Sequence, residues 1–139
     1  MSRIYFTDRN LGKQFPAILT AAGLQVERHV DLFPPDGSDE QWLAYCGANG
    51  CIAITHDQRI RHRVNEREAV IQNSVALLIV IGSAPYPVLA KNFVGMLAKI
   101  EAFLDKQTPP FIAKVYRPSL SDLAMNPSAR GLVSRWYPK

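Results

Sequence analysis

The chain has 139 residues, 47% of them hydrophobic and 20% charged, with a net charge of +4 and a pI near 9.3. Those figures fit one ordinary domain with its own core and exclude a disordered or low-complexity chain. The mild positive charge is compatible with a nucleic-acid partner but does not by itself require one.

In chain order, "RIYFT" (3–7) is a short β-rich run, and "GKQFPAILTAAG" (12–23) follows with helical spacing. Phe15, Ile18, Leu19 and Ala22 share a face, and Gly23 is a stop signal. "LQVERHV" (24–30) alternates like a strand, and "FPPDGS" (33–38) is a turn-rich loop. A second helix opens at Ser38 or Asp39, where "SDEQ" has the pattern of a capping box. Trp42, Leu43 and Cys46 make its inner face, and Gly47 or Gly50 ends it.

"CIAIT" (51–55) and "VALLIVIG" (75–82) are nearly uniform apolar runs, as expected of central strands covered on both faces. Between them lies the charged segment "QRIRHRVNERE" (58–68). The clearest helix spans 85–107, with Leu89, Phe93, Met96, Leu97, Ile100, Phe103 and Leu104 in one stripe that reads as core packing. "TPPFIAKVYRPS" (108–119) reads as a last strand at the sheet edge, bounded by prolines. The remainder, 119–139, carries Arg130, Arg135 and Lys139 and is expected to be a basic, loosely ordered tail outside a single domain over 1–118.

Cys46 and Cys51 make no disulfide framework and read as reduced core thiols. "MSRIYFTDRN" has no signal-peptide h-region, and the longest apolar run, "SVALLIVIGSA", is too short to span a bilayer. A cytoplasmic protein without a membrane partner is the expectation.

Strands alternating with helices predict a mainly parallel sheet in an α/β sandwich, with its working site beyond the C-terminal ends of the strands. Those ends are acidic. The first strand runs into Asp8, the loop before the second helix delivers Asp39 and Glu40, and the buried strand 51–55 runs into Asp57. Each acid alone is ordinary turn or cap chemistry. Together, carboxylates this close repel, and either a bound proton or a hard divalent cation relieves the conflict. The neighbouring arginines could hold phosphodiester oxygens and the charge that builds on phosphorus. They could equally be a solvated helix face in which Glu66 and Arg67 pair locally. His29, His56 and His62 lack zinc-ligand spacing and receive no role.

The strand into "TDRNLG", the acids of "SDEQWLAYCGANG" and the Thr-x-Asp of "CIAITHDQRIRHR" resemble the PIN-like nucleases over residues 3–82. The compact branch that includes toxins of bacterial toxin–antitoxin pairs is the nearest likeness. The resemblance implies a three-layer α/β/α sandwich and a Mg²⁺- or Mn²⁺-dependent endoribonuclease. By position it implies Asp8, Asp57 and Asp39 as metal carboxylates, Glu40 as the next acid, and Thr55 as an orienting hydroxyl. Arg59, Arg61 and Arg63 would face substrate phosphates.

Two departures stand out. No carboxylate follows "VALLIVIG", where a fourth acid is often found, leaving Glu66 as a substitute. Arg9 stands where relatives often carry an acid, and it either weakens metal binding or adds a phosphate contact. The resemblance further implies an RNA substrate, a cognate antitoxin and an apolar surface that could support a homodimer. A phosphoacceptor receiver domain fits poorly, since the acid pair and late-strand lysine it needs are missing. A noncatalytic module binding RNA or protein is the rival from another class.

Overall fold

Burial alternates along the strands, and that alternation builds the layers. The computed structural model describes residues 3–57, 59 and 63–138. Arg61, expected at a phosphate, and His62 lie outside them. Six strands, β1 (Ile4–Thr7), β2 (Gln25–Arg28), β3 (Ile52–Thr55), β4 (Ala76–Val80), β5 (Phe111–Tyr116) and β6 (Leu132–Tyr137), form one sheet in the order β2-β1-β3-β4-β5-β6. β1 to β5 are parallel and β6 is antiparallel.

Tyr5, Ile52, Ile54, Leu78 and Phe111 face one layer, made by α1 (Gln14–Ala21), α5 (Tyr86–Gly95) and α6 (Leu97–Lys106). Their sequence neighbours Phe6, Ala53, Leu77 and Ile112 face the other, made by α3 (Asp39–Asn49) and α4 (Val64–Gln72). Apolar on both sides, β3 and β4 can only be central, as their unbroken hydrophobic runs predict. The three-layer α/β/α sandwich with a mainly parallel sheet is therefore the observed fold. Among the described residues no helix is long and apolar enough to cross a membrane.

Local signals set most element ends. Ser38 caps α3 by accepting from the Gln41 amide, and Gly50 ends that helix in a left-handed conformation at φ 67°. Gly47 lets α3 lie against α4, because a Cβ there would stand 2.0 Å from the Asn73 carbonyl oxygen. The four-residue helix α2 (His29–Leu32) follows β2 at once, so the strand expected over 24–30 ends at Arg28. Cys46 and Cys51 are free and buried, and burial pushes both thiols up.

Three expectations need correction. The helix expected over 85–107 is two helices that meet at Met96, beside Gly95, a weak helix former. Phe93, Met96, Ile100 and Leu104 nonetheless stay buried in one cluster. The segment 119–138 is no loose tail: it forms α7 (Leu120–Met125), closed by a Ser119–Asp122 capping box, and then β6. β5 is consequently interior and β6 is the edge. An edge strand shows one side to water, so Ser134 and Arg135 look like a polar tail, while Val133, Trp136 and Tyr137 pack on the core.

Candidate functional site

Asp8 follows directly from β1, and its amide donates to the Ile54 carbonyl of β3 at 2.9 Å, fixing the two strand ends side by side. Thr55, fully buried at the end of β3, donates its hydroxyl to Asp8 Oδ2 at 2.7 Å. The Thr55 hydroxyl oxygen in turn accepts from the Asp57 backbone amide at 3.1 Å and from Asn10 Nδ2 at 3.3 Å. One hydroxyl thus ties Asp8 to the turn that presents Asp57. Asn10 also accepts from the His56 amide at 3.3 Å. The His56 ring turns away, with Nε2 2.6 Å from the Gly82 carbonyl oxygen and its edge against Tyr86.

Asp39 arrives from a third segment, at the first residue of α3, where negative charge suits the helix dipole. Its Oδ1 accepts from the Trp42 indole at 3.0 Å. Its Oδ2 lies 3.4 Å from Arg63 Nη1. That same nitrogen is 3.5 Å from Asp57 Oδ2 and 3.6 Å from Glu66 Oε1, so a single guanidinium stands among three carboxylates. Arg59 binds the other oxygen of Asp57, through its amide at 3.0 Å and Nε at 3.2 Å.

Among the described residues no arginine pairs with Asp8. Burial pushes its carboxyl up to about 6, the Thr55 hydrogen bond opposes this, and the charges of Asp39 and then Asp57 add to it. Asp8 therefore feels the charges of the other two acids and holds its own proton more tightly than an exposed carboxyl does. His29, buried beside them, is lowered by burial and by Arg9, against the pull of Asp39.

Asp8, Asp39 and Asp57 share an open cleft of about 360 Å³ with Arg9, Asn10 and Arg59, over the C-terminal ends of β1 and β3. Glu40, the acid expected next after Asp39, lines a separate polar depression with Asn65 and Glu68. Among the described residues Glu66 meets the cluster through Arg63. Asn10 and His29 line the cleft without having been expected there. Asn10 had a signal, two residues after Asp8 in "TDRN"; His29 had none beyond its chain position.

The donors are hard oxygens, suited in kind to Mg²⁺ or Mn²⁺. Among the described residues no three side chains form a ready-made metal cage. Donors of this kind suit Mg²⁺, which is usually held through one or two carboxylates and water.

A family model described as a PIN like domain matches residues 4–82, a span that includes every acid of the cleft. No curated protein and no solved structure matches the chain.

Proposed function

The chain belongs to the PIN-like domain family, and on that premise we propose that it is a Mg²⁺- or Mn²⁺-dependent endoribonuclease. The observation that carries this reading is the convergence of Asp8, Asp39 and Asp57, from three separate chain segments, on one cleft.

Asp8 and Asp57 would hold the cation, with Asp39 as the third carboxylate. When bound, the cation would lower the pKa of a water and hold the scissile phosphate in line. Thr55 keeps Asp8 and the Asp57 turn in fixed relation, so neither carboxylate has to be ordered when substrate arrives. Arg59, mostly exposed at the cleft, can move from Asp57 to a phosphate oxygen. Arg63 can do the same once its carboxylates are neutralised by a cation.

The likeness to the compact toxin branch suggests a cytoplasmic toxin whose cognate antitoxin lays a basic side chain in the cleft, on a protein that could also dimerise. The competing reading, a noncatalytic module for RNA or protein, is favoured by one observation: Arg63 already pairs with Asp39, Asp57 and Glu66.

The deciding experiment incubates total RNA with purified protein in Mn²⁺, Mg²⁺ or EDTA, beside Asp57→Asn. Cleavage that needs metal and is lost in the variant supports the nuclease. No cleavage in either metal, with wild type and variant binding RNA equally, would leave the binding module.

A further inference from the structure

Two further depressions continue the acid cleft along the β2 edge of the sheet. The first, about 200 Å³, shares Asp8, Arg9 and His29 with the cleft. The second, about 400 Å³, shares Lys13 and Arg28 with the first. The three form one track, and basic residues stand where they join.

Arg9 divides the cleft from the first depression. Its Nη2 donates to the Phe33 carbonyl at 3.3 Å, while its Nε is buried with no partner among the described residues, which satisfy the guanidinium poorly. Lys13 and Arg28 stand at the second junction. The Lys13 side chain is exposed and has no partner among the described residues. Arg28 is bonded to exposed Asp31 at 2.9 Å through Nε and Nη2. Between the cations the walls are apolar, with Val30 in the first depression and Pro16 and Val26 in the second.

We propose that a single nucleic-acid strand leaves the acid cleft across the ends of β1 and β2, its phosphates on Arg9, Lys13 and Arg28, toward α1. Cations at intervals with apolar wall between them match a strand whose phosphates alternate with unstacked bases and sugars. A duplex keeps its base faces stacked away from such walls. The inference rests on the nuclease reading for the position of the scissile phosphate, but strand binding along the track is measurable without cleavage.

The test is fluorescence anisotropy in EDTA with an oligouridine and an oligothymidine of equal length, across a salt series. Lys13→Ala and Arg28→Ala are compared with Lys106→Ala, which lies near the opposite edge in a depression with Leu132. Each track variant should weaken binding and flatten the salt dependence by about 0.7 to 1 in log–log slope, with Lys106→Ala unchanged and all variants melting as the wild type does. Lys13→Glu should weaken binding further. Equal losses on both oligonucleotides mean the track reads the phosphate chain alone; losses on both that are larger on oligouridine mean it reads ribose as well, and a loss on oligouridine alone would overturn the phosphate contacts. Track variants that bind like the wild type, or Lys106→Ala losing as much as they do, would overturn the proposal. RNA cleavage failing while Lys13 and Arg28 still govern binding would remove the nuclease and keep the track.

Discussion

Arg63 is the residue on which the cleft turns, because its one positive charge is shared among three carboxylates that would otherwise attract a cation. Half-exposed pairs of this kind are worth up to about 1 kcal/mol each, so a cation that displaces Arg63 gives up roughly that much per pair. Arg63→Gln should therefore tighten Mn²⁺ binding by about tenfold, or about 1.4 kcal/mol, in titration calorimetry without RNA. Unchanged or weaker binding would mean Arg63 does not compete. Asp8 sets a pH dependence of the opposite kind to an ordinary ion-paired acid. Its carboxyl is raised from 3.8 to about 6 in the folded chain, so the fold holds that proton more tightly than the unfolded chain does. Stability of the metal-free protein should thus fall as pH rises from about 4 to about 6, by up to about 3 kcal/mol, and this contribution should then level off. Asp8→Asn leaves Thr55 an acceptor and removes the charge. Urea unfolding in EDTA should show the variant equal to wild type near pH 4 and more stable above pH 6.

At the scale of elements, the α3–α4 contact positions Asp39 against Arg63 and Glu66. It depends on the bare Gly47, where any Cβ would meet the Asn73 carbonyl. Gly47→Ala should cost about 1–3 kcal/mol, the usual range for overpacking, and lower the melting temperature. An unchanged melt would show that the two helices shift apart freely. The capping and stop signals of α3 were legible as "SDEQ" and Gly50, since a helix end depends on residues within a turn of it. The close approach at Gly47 was not, because Asn73 lies at the end of another helix. The same distinction explains Glu40. Asp39 and Glu40 are adjacent acids, and only the packing of α3 turns one to the cleft and the other to Asn65 and Glu68.

Across the whole molecule, the family match ends at residue 82, yet the core continues through Phe93, Met96, Phe111 and Val115. β6 then covers β5, with Trp136 and Tyr137 packed on the second cluster. A chain ended after residue 118 would bare the β5 edge and this apolar surface. The loss of these half-buried side chains is worth roughly 3 kcal/mol or more, and an uncovered edge invites pairing with other chains. Truncation should lower the urea midpoint and produce aggregates on size-exclusion chromatography. A monomeric truncated chain as stable as the whole would show that β6 is an accessory.

The sequence by itself determined the strand and helix periods, the centrality of β3 and β4, and the arrival of Asp8, Asp39 and Asp57 at element ends. Hydrophobic spacing and caps act over a few residues, and a parallel sheet then carries successive strand ends to one side. Only the tertiary structure decided that Arg63 stands among the acids, that Glu40 faces elsewhere, and that 132–137 is a strand. Each of these depends on contacts between residues far apart in the chain: Arg63 with Asp39, α3 with α4, β6 with β5. Local pattern carries no record of such partners, because long-range packing selects among conformations that the local sequence allows equally well.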